Sequence, residues 1–205
     1  MKLYDENNPA PNPRKVRIFL AEKGISVPME RVRIMRREHK APEFLAKNPL
    51  GQVPALELDD GTIIAESLAI CRYFEEIYSD PPLFGRDARE RASVEMWLRR
   101  AEFRLWAPMT QVWINADSRT AIVNPNQFPD FGEHNRKHVA TAMRWFDGVF
   151  ADGREFLAGP NYSMADIVFL CGIDFAKFVE MDMPEDAAHL RAWHARVSAR
   201  PSAAA

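Results

Sequence analysis

Glu66-Ser67 follows a run of strand formers and opens a helical pattern. An acid and a serine at that place make an ordinary helix start, serving the first turn themselves. The same physics can act on a ligand. Unpaired first-turn N–H groups and the Ser67 hydroxyl would then hold a carboxylate, while Glu66 takes an ammonium. The stretch Asn48 to Leu56, centred on Gly51-Gln52-Val53-Pro54, offers a second possibility. A proline at a strand start is harmless where no ladder needs its N–H. A cis Val53-Pro54 bond would instead leave the Val53 N–H and C=O facing outward, able to pair in β fashion with an extended peptide ligand.

Other clusters read as structure. Ser163-Met164-Ala165-Asp166, after Gly159-Pro160, is a helix-capping pattern expected to nucleate a buried helix over Ile167 to Val179. His134 and His138 have the i,i+4 spacing of metal ligands. They lack the glutamate of a zinc-protease helix and lie among Asn135, Arg136 and Lys137, so a solvated face and no metal are expected. Trp97, Phe103, Trp106, Met109 and Trp113 crowd one long helix, where aromatic stripes are usually core. Pro108 should kink or interrupt that helix, and its aromatic face can line an apolar pocket. Phosphate-loop, nucleophile-elbow and Cys-x-x-Cys patterns do not occur, which removes the usual warrants for nucleotide, hydrolase and redox-motif chemistry.

The elements that must position these groups fall into two parts. Over residues 1–80, Lys2 to Asp5 reads as a strand and the prolines at 11 and 13 deliver the chain into a helix ending near Gly24. Met29 to Ile34 alternates as a half-exposed strand. Ala55 to Ala65 is a hairpin turning at Asp59-Asp60-Gly61, and a helix follows over Glu66 to Tyr78. That order is a thioredoxin-like α/β domain. Ser79 to Gly85 breaks all periodicity as a linker, and beyond it strand signals vanish. Residues 86–205 read as an all-α helical bundle, with helices over Arg86 to Ala116, Glu133 to Phe150, Ser163 to Val179 and Asp186 to Ala199.

Composition limits the function. In 205 residues, 27 Lys plus Arg against 29 Asp plus Glu leave a formal charge of -2, with no electrostatic footprint for nucleic acid. Locally the balance is uneven: six basic and three acidic residues lie from Glu30 to Lys47, and eight acidic and two basic from Glu57 to Asp87. Opposed patches suit a small zwitterionic or anionic ligand. Two cysteines, Cys71 and Cys171, build no disulfide framework, and the first residues lack a signal-peptide apolar region, so a reducing cytoplasm without a membrane anchor is expected.

Taken together, the proline-rich loop before the first helix, Glu38 to Leu45, Asn48 to Leu56, Glu66-Ser67 and the Ser163 to Asp166 box resemble a cytosolic glutathione transferase of the theta-like bacterial and fungal branch. The resemblance implies glutathione as co-substrate without a resident cofactor, a hydrophobic electrophile, a homodimer and a detoxifying role. It places Gln52 and Val53 on the cysteinyl backbone, Glu66 and Ser67 on the γ-glutamyl end, and His39 and Lys40 on the glycyl carboxylate. Pro54, Ser163 and Asp166 fall to structure, and Phe103, Trp106, Met109 and Trp113 to the electrophile.

The chemistry needs a thiolate, and a thiol of pKa ~8.5 is mostly protonated at neutral pH. Lowering it by about two units takes ~2.7 kcal/mol, within reach of one or two hydrogen bonds and a helix N-terminus. Here the sequence departs from the resemblance, since Ala10 stands where theta-like members carry a catalytic Ser and cannot donate. Asn12 is the expected activating group, with Asn7 and Asn8 as further candidates and Tyr4 ranked below them. A water held by Asn115 or Ser118 is the alternative route. Conjugation of glutathione to a hydrophobic electrophile is the expected function; glutathione-dependent disulfide or peroxide reduction, and non-catalytic binding, are the alternatives.

Overall fold

A computed structural model describes every residue except Asn8 and Val123 and divides into two compact units, Met1–Leu83 with Pro201–Ala205, and Phe84–Arg200. In the first unit the elements run β1 (Lys2–Asp5), α1 (Pro11–Glu22), β2 (Met29–Arg31), α2 (Pro42–Leu45), β3 (Ala55–Glu57), β4 (Ile63–Ala65) and α3 (Ser67–Ile77). The sheet order is β2-β1-β3-β4, with β2 parallel to β1 and the other two pairs antiparallel. Strand alternation sorts β1 onto two faces. Tyr4 packs edge-on against Phe44 of α2, in a cluster with Val32, Val53 and Ala55. Asp5 points the other way and pairs with Arg17 of α1 at 2.8 Å.

Helix α1 starts at Pro11, before the helical period that the sequence shows after Pro13. The first-turn N–H groups of a helix have no internal partner, so both prolines sit where a missing donor costs nothing. Strand β2 ends at Arg31, short of Ile34, because Glu6 takes the Ile34 N–H at 2.8 Å and the chain turns into two short 3-10 segments.

The second unit holds α4 (Ala88–Ala101), α5 (Ala107–Asn115), α6 (Pro129–Phe150), α7 (Met164–Phe178) and α8 (Ala188–Ser198). A π-helical turn over Glu102–Trp106 joins α4 to α5, with the Ala107 N–H reaching the Glu102 carbonyl. Pro108 has no N–H for the ordinary i−4 carbonyl, and the ladder slips just before it. Helix α6 begins at Pro129, earlier than Glu133: Pro129 takes an N-terminal position, and Gly132, expected in a break, lies inside the helix against Ala116, where an added Cβ would stand 2.6 Å from the Ala116 Cβ. Leu83 and Phe84, inside the expected linker, are each 2% exposed, so that segment is anchored at its end. The terminal residues 201–205, assigned by sequence to the helical part, group with the first unit. There Arg14 donates to the Ala203 carbonyl at 2.9 Å and Ser202 bonds Glu22, both on α1. No helix among the described residues is long and apolar enough to cross a membrane.

Candidate active site

Register decides where the candidate residues go. Tyr4 pairs with Ala55, Ala55 with Ala65, and Asp5 with Arg31. The exits of β1, β2 and β4 and the entrance to β3 therefore share one end of the sheet. That brings four segments together: the loop from Glu6 to Asn12, the turns from Val32 to Lys40, the loop from Asn48 to Pro54, and Glu66-Ser67.

Gly51 sets the approach of the two middle segments. At φ 58° it occupies left-handed space, and a Cβ there would stand 2.6 Å from the His39 carbonyl oxygen and 2.9 Å from Lys40 Nζ. Lys40 Nζ donates to the Leu50 carbonyl at 2.9 Å. Asn48, 4% exposed, latches the loop from within, donating to the Gln52 carbonyl at 2.8 Å and accepting from the Leu50 N–H. His39 is half-buried with no partner for its Nδ1. Burial, then Lys40 and Arg37, hold it below the ordinary imidazole pKa, so it is neutral at pH 7.

The Val53-Pro54 peptide is cis. Neither the Val53 N–H nor its carbonyl has a backbone partner among the described residues. Across the hairpin, Glu66 is the N-cap of α3 at φ 70°, a region that favours glycine. The Glu66 side chain makes no cap hydrogen bond to this helix. Ser67 is thus its first residue rather than its cap, buried and without a hydroxyl partner among the described residues.

At the start of α1, Pro11 and Pro13 leave Asn12 as the one N–H donor in the first three positions. The exposed Asn12 side chain accepts from Lys15 Nζ at 2.8 Å, so its amide N–H₂ is the end left to donate. Asn8 lies outside the described residues. Tyr4 donates to Glu57 at 2.5 Å, and burial, then that bond, push its hydroxyl above the ordinary pKa. Its proton is committed away from the loop.

The comparisons agree across both units of the chain. Residues 10–77 match the model of the glutathione S-transferase N-terminal domain, and residues 121–201 that of the C-terminal domain. The protein named glutathione S-transferase 2 of Saccharomyces cerevisiae is 41% identical over 98% of this chain and 87% of its own. This chain belongs to the glutathione S-transferase family. Among solved structures, a glutathione S-transferase domain-containing protein of Marinobacter aquaeolei superposes with a TM-score of 0.93 at 40% identity, covering 98% of this chain and 99% of that one. Gtt2 of Saccharomyces cerevisiae does so with 0.92 at 40% identity, covering 98% of each chain. The two-domain fold of the glutathione S-transferases is present throughout, and glutathione transferase activity goes with it.

The transferase's second unit separates the aromatic candidates. Phe103 is 69% exposed, whereas Met109 is 0% exposed and closed inside the bundle. Trp106 stacks on Phe175 and donates to the Val168 carbonyl at 3.0 Å; Trp113 meets Phe175 edge-on. These two indoles are half-buried and bind the π-helical turn and α5 to α7. Asn115 uses both ends internally, donating to Gln111 and accepting from the Phe128 N–H; Ser118 is exposed.

Asp166 is fully buried and accepts four hydrogen bonds, from the Ser163 N–H and hydroxyl, the Leu157 N–H and Trp193 Nε1. Burial, against those donors, pushes its pKa up to about 6. The sequence pattern contained Ser163 and not Trp193, which lies 27 residues beyond Asp166.

Sequence reasoning also missed Glu6, 8% exposed, which accepts from Arg31 Nε and from the Asn7 and Ile34 N–H groups. Burial works to raise its pKa, but those bonds hold it below the ordinary value. Only the β1–β2 pairing brings these residues together, so no local signal existed. A cavity of about 550 Å³ lined by Asp5, Asn7, Arg17, Met29, Arg31 and Ala205 includes the lesser candidate Asn7 but none of the residues expected to bind glutathione, and Asp5 and Arg17 in its wall pair with each other.

Proposed function

We propose that the first unit holds glutathione across the shared end of its sheet and that the chain uses it as a thiolate against a hydrophobic electrophile. The observation that carries this is the N-terminus of α3: an uncapped helix end with the Ser67 hydroxyl unpartnered, across the hairpin from a Val53 backbone with no strand to pair with. The γ-glutamyl carboxylate takes the helix N–H groups and Ser67, and its ammonium goes to Glu66. The cysteinyl backbone pairs with Val53 beside Gln52, and the glycyl carboxylate goes to Lys40 and the neutral His39.

Asn12 donates to the sulfur, replacing the hydroxyl that Ala10 lacks. Lys15, on the Asn12 oxygen, polarises that amide and adds a positive charge near the thiolate, both of which lower the thiol pKa. Phe103 is the exposed member of the electrophile set. Both cysteines are buried, which favours conjugation over a reductase reaction run through a protein thiol. A cytoplasmic homodimer acting in detoxification completes the proposal.

Titrating glutathione while recording absorbance near 240 nm tests it. A thiolate signal is expected well below the free-thiol pKa of ~8.5. Replacing Asn12 by Ala should move that signal to higher pH by about one unit and cut aryl halide turnover about tenfold, the worth of one hydrogen bond to a charged group. Glutathione binding with no thiolate signal would refute the activation step; no binding would refute the site.

A further inference from the structure

The pair His134 and His138, discounted for its missing glutamate and its polar, basic neighbours, has a geometry the sequence did not contain. The two exposed rings lie one turn apart on α6, with Nε2 atoms 3.0 Å apart and ring planes at 74°. The helix beneath them is fixed: Asn135 is buried and donates to the Phe131 carbonyl at 2.8 Å, and Val139 is 0% exposed. Each histidine thus precedes a residue anchored in the core, and both rings stand on a rigid segment facing solvent. Of the neighbouring charges, Arg136 pairs with Glu133 and donates to the Val179 carbonyl, and Lys137 is exposed to solvent.

The contact is a hydrogen bond whose direction depends on the tautomer. With the proton of each ring on Nδ1, both Nε2 atoms carry a lone pair and can ligate one ion without a change in charge. With metal–nitrogen bonds of about 2.0–2.1 Å, the observed separation gives an angle at the metal of roughly 91–97°. Tetrahedral coordination would need nitrogens roughly 3.3–3.4 Å apart. The distance fits neighbouring positions of a square-planar or octahedral ion, the preference of copper(II) and nickel(II), and copper(II) stands highest in affinity for nitrogen sites. No third His, Cys, Asp or Glu joins the pair among the described residues, so water fills the remaining positions.

We infer that His134 and His138 form a two-point clamp on α6 for one divalent copper or nickel ion, separate from the glutathione site. The test is calorimetric titration of the full chain with copper(II) chloride in a non-chelating buffer at neutral pH, repeated with nickel(II) and zinc(II), with paramagnetic resonance of the copper form. One copper(II) per chain is expected, with coupling to two equivalent nitrogens and affinity in the order copper, nickel, zinc. His134→Ala and His138→Ala should each weaken copper binding roughly a hundredfold, because a one-armed site loses the effective concentration of its second ligand. The double variant, left with neither ring, should bind no more tightly than either single one.

Both rings are exposed, so circular dichroism of the metal-free variants should match the parent. His134→Gln, which keeps a polar side chain, should lose binding as His134→Ala does, and His189→Ala should retain it. Copper affinity within about threefold of the parent in either alanine variant, well short of the chelate loss, would overturn the inference. So would coupling to one nitrogen only, or no copper binding.

Discussion

Two helix starts carry similar sequence, a serine and an acid, and the molecule uses them in opposite ways. At α7 the acid, Asp166, lies inside the bundle and takes four donors from three parts of the chain. At α3 the acid, Glu66, is exposed at φ 70° and its side chain does not cap the helix, and Ser67 has no partner among the described residues. The first closes a hydrogen-bond ledger within the fold. The second keeps its donors free of the fold, and the Glu66 backbone holds a conformation that costs of order 1–3 kcal/mol, as functional sites do. The same local motif is closed within the fold at α7 and left open at α3, where the proposed glutathione site lies, and burial separates the two.

Breaking the α7 end should have the largest effect. Asp166→Ala leaves four donors facing an apolar interior and is expected to cost at least ~3 kcal/mol in chemical denaturation, with the glutathione KM unchanged in the protein that remains folded. The carboxyl also sets a pH dependence. Its folded pKa of about 6 lies above the ordinary 3.8, so the folded state holds this proton more tightly than the unfolded chain. Its stabilising contribution is full below pH ~4 and is lost as pH rises to ~6, about 3 kcal/mol in all. In Asp166→Asn that slope should vanish; an unchanged slope would place the titration elsewhere.

At the binding end, Gly51→Ala should come next. Its Cβ would meet the His39 carbonyl and Lys40 Nζ in a left-handed backbone. A loss of about 1–3 kcal/mol and a raised glutathione KM are expected together, because the same approach builds the loop and the carboxylate subsite. If KM holds while stability falls, the His39–Lys40 turn is no part of the site.

The smallest effect sharpens the contrast most. Glu66→Gly relieves the positive φ and should raise stability by about 1 kcal/mol while raising the glutathione KM several-fold. Gain in one measurement and loss in the other is what a strained binding residue predicts. A loss in both would make Glu66 an ordinary structural residue, like its counterpart on α7.

The legible parts were those whose cause is local. Proline positions, the Gly61 turn and the aromatic period gave α1, the β3–β4 hairpin and α4–α5 to within a few residues, and Pro108 announced the break that appears as a π turn. Where the signal had two meanings, the sequence missed. Gly132 reads as a breaker and proves to be a close contact with Ala116, and Met29 to Ile34 reads as one strand although Glu6 ends it by capturing the Ile34 N–H.

By itself the sequence determined the two-part architecture, the family, and the residue types available for a glutathione site, because helix and strand periods, capping and turn chemistry act over a few neighbours. The tertiary structure decided which groups remain available. Register brought Val53 and Glu66 to one end of the sheet, packing closed Met109 inside the bundle, and Trp193 filled the second side of Asp166. Availability depends on partners distant in the chain, and hydrogen-bond satisfaction is a property of the folded molecule rather than of any segment.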